Sequence, residues 1–205
     1  PGGEMHIVIG TLALNLQLIN ETVFVAIIIS AIISTLTLGP ALSFMIRRIV
    51  PQRTVQIPSQ AAIEIPTRPK FEVLQFLSEH AAQLFGVNPD TVYDLAKNRE
   101  DGMSTALENG IAIPHARIPD IQGYTVVFGR SQAGIDWNSP DGLPAKLIFL
   151  IVTPYDEMDS QLQIYRQLVR VLSKKDYRDA ITNANTLESA VETLNDGLRL
   201  TAIAG

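Results

Sequence analysis

The chain has 205 residues, a formal net charge of −5 and no cysteine. Disulfides, thiolate metal sites and a cysteine nucleophile are therefore excluded. The mild acidity argues against a nucleic-acid partner, which needs clustered Lys and Arg.

The length suits one ordinary domain plus a smaller element. Charge is segregated: from Met5 to Ile46 the only formally charged residue, histidine apart, is Glu21. The sequence opens on Pro1 rather than Met, and its first apolar run has neither a basic n-region nor a small-residue cleavage site. It reads as a fragment of a longer protein and not as a signal peptide.

Two apolar stretches come first. His6 to Ile19 is short for a span, and Asn20-Glu21 breaks it. Thr22 to Ile46 carries no charge and reaches the roughly 20 residues a spanning helix needs. Gly39-Pro40 near its end is tolerated in such a helix, and Arg47-Arg48 follow at once. By the positive-inside bias that end faces the cytoplasm. The expectation for 1–48 is a transmembrane helical hairpin, with a buried globular hairpin as the alternative. His6 reads as an interfacial residue. Residues 49–65 hold prolines and no helical period and read as an extended linker, although Ala61 to Ile65 also reads as a first edge strand.

Helical spacing predicts a helix over Lys70 to Phe85, closed by Gly86. A second helix starts with Asn88 as N-cap and Pro89 at its first position, and runs to about Lys97. His80 reads as an ordinary helix residue. A polar loop with Gly102, Ser104, Thr105, Asn109 and Gly110 leads to a short apolar strand, Ile111-Ala112-Ile113, which Pro114 ends. Tyr124 to Gly129 and Leu147 to Val152 read as strands, the second apolar throughout and so central. Ala133 to Pro144 is turn-rich. Helices are expected over Asp159 to Ser173, Asp176 to Ile181 and Thr186 to Leu198. The alternation predicts an α/β domain over 66–202, with a mixed sheet flanked by helices.

His115 follows the apolar strand, where α/β folds place their sites. Its neutral ring is a competent nucleophile near neutral pH. Arg99, Ser104, Thr105 and Arg117 lie close in sequence and are suited to hold phosphoryl oxygens by charge-assisted hydrogen bonds. On these residues alone, a structural histidine is the simpler reading. The three histidines, His6, His80 and His115, have no metal-ligand spacing, and no P-loop, dinucleotide or nucleophile-elbow motif is present.

The run Arg99-Glu100, Ser104-Thr105 and Asn109-Gly110-Ile111-Ala112-Ile113-Pro114-His115-Ala116 resembles the active-site motif of the fructose/mannitol-type enzyme IIA domains of the bacterial phosphotransferase system. Gly134-Ile135-Asp136-Trp137, Asp141-Gly142, Leu147 to Pro154 and Leu162 to Leu172 continue the resemblance in order. Arg117-Ile118-Pro119 is most similar to the nitrogen-regulatory branch.

The resemblance implies that the phosphocarrier histidine protein phosphorylates His115. Arg99, Arg117, Ser104 and Thr105 would hold the phosphoryl group, and no metal or cofactor would take part. Gln161 stands where the family has a second histidine, so it too would face the phosphoryl group but without a charge to offer. Ala106 and Glu108 replace glycines common in the family, and Glu108 is expected to bring a negative charge near the anion site.

Pro1-Gly2-Gly3-Glu4 followed by two apolar helices resembles the end of the membrane domain of monovalent cation/proton antiporters. Together the resemblances imply a phosphorylation-controlled domain on the cytoplasmic side of the bacterial inner membrane. Its partners would be its own or another antiporter membrane domain, with a homodimer through that domain as one arrangement. A sugar-specific enzyme IIA and a non-phosphorylated sensing module remain the alternatives.

Overall fold

The computed structural model of the chain describes residues 2–30, 32–33, 36 and 54–203. The chain divides into two compact units, Pro1–Arg53 and Thr54–Gly205.

In the first unit, helix α1 covers Gly2–Asn15 and helix α2 is described over residues 21–30. Asn20 starts α2 as its polar character suggests: its side-chain oxygen accepts from Val23 N–H at 2.9 Å. Val8, Ile9, Leu12, Leu16, Val25 and Ile29 all expose more than half of their surface. Among the described residues no helix is long and apolar enough to cross a membrane. Most of the span expected at 22–46, with its arginine pair, lies outside the described residues.

The second unit begins earlier than the linker reading placed it. Residues 54–57 lie outside any helix or strand, yet Val55 and Ile57 are buried. Val55 N–H donates to Gln167 Oε1 and Ile57 N–H to Asn195 Oδ1, each at 2.9 Å. The two buried apolar residues and the two paired amides dock this stretch together, despite the prolines around it.

A single 3-10 turn (Ser59–Ala61) precedes strand β1 (Ala62–Glu64). Helix α3 spans Lys70–Phe85 as its periodicity predicts, and Gly86 closes it in the left-handed conformation at φ 68°. Helix α4 spans Pro89–Gly102, capped by the Asn88 side chain. It runs a turn beyond Lys97 because side chains support the polar stretch: Lys97 pairs with Asp101, and Glu100 is buried. Arg99 is thus placed on a helix and not in a loop.

Strands β2 (Ala106–Leu107), β3 (Ile111–Ala112), β4 (His115–Ile118), β5 (Thr125–Ile135) and β6 (Ala145–Pro154) follow. The sheet order is β1-β5-β6-β3-β2, and β4 also pairs with β6. Both β3 and β4 run parallel to β6 in one register, Ile111 opposite Leu147 and His115 opposite Ile151. They are one strand interrupted at Pro114, whose missing N–H breaks the ladder while its carbonyl still accepts from Ile151 N–H at 2.9 Å. Pro114 therefore interrupts the strand instead of ending it. Strand β5 runs into the start of the expected turn region, with an irregularity between Arg130 and Ile135. Gly134 is needed there: at φ 80°, a Cβ would lie 2.8 Å from Pro144 Cβ.

Helices α5 (Met158–Leu172), α6 (Lys175–Asn183) and α7 (Leu187–Ile203) complete the unit. They cover one face of the sheet, where Phe128 and Phe149 stack at 5.0 Å. Helices α3 and α4 cover the other face around the fully buried Trp137. A central β6, buried from Leu147 to Pro154, supplies both cores, as its unbroken apolar run predicts.

Candidate functional site

Alternation along β4 decides what His115 can do. Ala116 and Ile118 are buried against the α3–α4 core, whereas His115 and Arg117 point to the opposite face and stay half exposed. Pairing with β6 fixes the strand, so the imidazole is held at a rigid sheet edge.

Two contacts fix the ring. Its Nδ1 lies 3.2 Å from the carbonyl of Ile113, and its Nε2 lies 3.1 Å from Nε of Arg99. A carbonyl only accepts and an arginine N–H only donates. Nδ1 therefore carries the hydrogen, and Nε2 presents a lone pair. Partial burial disfavours the imidazolium and holds the ring below its ordinary range; the Ile113 carbonyl opposes this, and the Arg99 and Arg117 cations add to it. His115 is a neutral ring with its bare nitrogen facing a guanidinium.

Arg99 also donates from Nη1 to the carbonyl of Met103 at 3.0 Å. Arg117 stacks over the Tyr155 ring, 5.5 Å from its centroid. The structure thus brings His115, Arg99 and Arg117 together on one exposed edge.

The other expected ligands are placed differently. The Ser104 hydroxyl donates to the Trp137 carbonyl at 2.8 Å. The Thr105 hydroxyl donates to Glu100, Thr105 N–H donates to the same carboxylate oxygen at 2.9 Å, and the side chain is buried. Both hydroxyls brace the loop rather than offer a hydrogen to an external anion. Gln161 is half-buried at the start of α5, and the His115 ring nitrogens are engaged by Ile113 and Arg99, not by Gln161.

Glu108 corrects a second expectation. It lies in the turn joining β2 to β3, where Leu107 pairs with Ile111. His115 is at the other end of that strand, about 13 Å beyond Ile111 at the rise of an extended chain. The negative charge is carried away from His115. The Asn109 turn is anchored instead to Asp141, which accepts Asn109 N–H at 2.6 Å, and to Arg178 at 3.3 Å.

Sequence reasoning gave no role to Glu100, Tyr155 or Met103. The spacing Arg-Glu then Ser-Thr carried the signal for Glu100: a carboxylate on the last turn of a helix reaches the amide of the loop that follows.

The family model of the phosphoenolpyruvate-dependent sugar phosphotransferase system, EIIA 2, matches residues 59–197. The chain is 33% identical over 134 residues to a PTS system fructose-specific EIIA component of Haloferax volcanii, covering 65% of this chain and 87% of that protein. It is 29% identical over 140 residues to a nitrogen regulatory protein of Pseudomonas aeruginosa, covering 68% and 91%. Among solved structures, nitrogen regulatory protein IIA-Ntr from Neisseria meningitidis superposes with a TM-score of 0.64 at 23% identity, covering 67% of this chain and 95% of that one. The enzyme IIA mannitol of Escherichia coli, in its complex with phosphorylated enzyme IIB mannitol, superposes with a TM-score of 0.60 at 19% identity, covering 69% and 98%.

Proposed function

This chain belongs to the EIIA 2 family of the phosphoenolpyruvate-dependent sugar phosphotransferase system, and from that premise we propose that it is a phosphoryl-accepting regulatory domain whose acceptor atom is Nε2 of His115. The observation that carries the reading is the neutral ring with its lone pair directed at Arg99.

The chemistry follows from that geometry. The Nε2 lone pair attacks the phosphorus of a phosphohistidine on the phosphocarrier protein. The N–P bond of the donor breaks, and its electron pair returns to the donor ring, while the Nε2–P bond forms in line. Transfer of this kind is mainly a matter of position and charge stabilisation. Arg99 leaves Nε2 and, with Arg117, takes up the phosphoryl oxygens. Exposed Met103 and Tyr155 touch these arginines through their own contacts, and exposed Met158 and Leu162 lie on the first turns of α5. Exposed apolar surface beside the two arginines suits a protein partner.

Incubating the full chain with phosphoenolpyruvate, enzyme I and the phosphocarrier tests the reading. Label should enter the wild type and be absent from His115→Ala. Label that persists in the variant, or never enters the wild type, would refute it.

The proposal includes the bacterial cytoplasmic membrane, with the domain on its cytoplasmic side and an antiporter membrane domain as regulatory target. The uncharged run at 22–46 and the exposed apolar side chains of α1 and α2 support a membrane; the antiporter rests on the resemblance of residues 1–46. In membrane vesicles of the full-length protein, ion flux should lose its dependence on phosphoenolpyruvate in His115→Ala. Flux indifferent both to that change and to deletion of 54–205 would remove the antiporter from the account.

A second reading, a sugar-specific enzyme IIA, is favoured by the 33% identity to the fructose-specific component. It requires phosphate to pass from His115 to a IIB cysteine. The third, a sensing module without phosphorylation, is motivated by Gln161 and is excluded if His115 takes label.

A further inference from the structure

Glu100 is the most buried carboxylate near the site, with its side chain wholly out of solvent. Three donors converge on it: Thr105 N–H at 2.9 Å, the Thr105 hydroxyl, and Lys70 Nζ at 3.2 Å. An unpaired carboxylate in such a place is costly, and even a well-paired one rarely adds net stability over apolar packing. What this arrangement does is fix geometry.

The geometry leads to Arg99. Glu100 adjoins it on the last turn of α4. Beyond the helix, Met103 is extended and presents its carbonyl to the Arg99 guanidinium. Two residues later Thr105 is tied to Glu100, and its own carbonyl accepts from Ile113 N–H at 3.0 Å. Ser104 between them is held by the Trp137 carbonyl. The loop 103–105 is therefore pinned at each residue, and the carbonyl that aims Arg99 can occupy one place. Lys70 adds a far end to the chain of contacts, because it is the first residue of α3.

We propose that Glu100, gripped by Thr105 and Lys70, is a positioning residue that acts through the 103–105 loop to aim Arg99 at Nε2 of His115. Thr105 is thereby assigned to the arginine and not to the phosphoryl group. The proposal rests on the reading of His115 as the acceptor, but it makes a claim about the resting ring that needs no phosphate.

The test uses the full chain with selectively 15N-labelled histidine, the His115 signals being assigned from His115→Gln. Two quantities are read: the Nε2 chemical shift, and the rate of phosphorylation by phosphoramidate, a small donor that needs no partner protein. Thr105→Val keeps the backbone bond and removes the hydroxyl. It should move the Nε2 shift toward that of a ring free of Arg99 and slow transfer about tenfold, the scale of one displaced charge-assisted hydrogen bond. Thr105→Ser should restore both. In an Arg99→Gln background, Thr105→Val should add nothing to either. A Thr105→Val protein with altered thermal stability but an unchanged Nε2 shift and rate overturns the proposal, as does slowing that persists undiminished without Arg99. If Thr105→Val fails to fold, Lys70→Met reads the same relay, and a wild-type Nε2 shift there overturns it. A wild type that takes no phosphate while Thr105→Val still moves Nε2 refutes the acceptor reading and leaves the positioning role standing.

Discussion

The strand made of β3 and β4 has two ends, and they are built to opposite rules. At the Asn109 end, hydrogen bonds tie the turn to its neighbours. Asp141 accepts from the amides of Asn109 and Leu143, and Arg178 joins Asn109 to the carbonyls of Leu172 and Ser173. At the His115 end, a nitrogen lone pair is met by one displaceable arginine. One strand thus carries an anchor and a reactive group. The rigidity of the first positions the second, and the difference separates what holds the domain from what the proposed function uses.

The largest expected effect comes from His115→Ala. Phosphoryl uptake should vanish, with little change in thermal stability because the side chain is half exposed. Loss of the fold along with the label would mean the two ends are not separable. Arg99→Gln should slow uptake by roughly ten- to a hundredfold, the range for a charge-assisted contact made to the transferring group. An unchanged rate would place the phosphoryl group elsewhere.

The two ends should also part in their response to pH. The folded His115 ring lies below the ordinary imidazole value of 6.5 because burial opposes its charge. The unfolded chain then binds the extra proton first. The stability contributed by the neutral ring is complete above 6.5 and is lost as pH falls through the folded value. Phosphoryl uptake should be flat above that point and decline in the same acid window. Asp141 lies below the ordinary carboxylate value of 3.8, mainly through the Asn109 amide. Its contribution is present above 3.8 and lost only in stronger acid. Denaturation curves of His115→Gln and Asp141→Asn against pH would separate the windows. A single shared transition would contradict the division.

Smaller effects test the departures from the family pattern. Gln161→His should raise the transfer rate severalfold by adding a chargeable donor, on the order of 1 kcal/mol of stabilisation. No change would mean that Gln161 does not face the phosphoryl group. Asp141→Asn should lower stability near neutral pH and leave the transfer rate at the wild-type value, since it acts at the other end of the strand.

Legibility in the sequence followed the range of the forces involved. The α3 helix, the Asn88 cap and the central β6 were readable because periodicity and capping are local. The family motif points to His115 and Arg99, and the structure brings the two into contact. The rest depended on contacts made across the fold. Strand β4 resumes after Pro114 because β6 supplies partners that no local rule contains. Residues 54–57 dock because Gln167 and Asn195, more than a hundred positions away, receive their amides. Glu108 was expected beside the anion site because it is near in sequence, and the hairpin carried it away. The motif points to Thr105 as a phosphoryl ligand, and in the structure its hydroxyl donates to Glu100.

Long-range 1H–15N NMR of the phosphorylated full chain tests the central claim most directly, because it identifies the modified ring nitrogen. Phosphate is expected on Nε2 of His115, with Nδ1 still protonated toward the Ile113 carbonyl. Phosphate on Nδ1, or on His80, would contradict it.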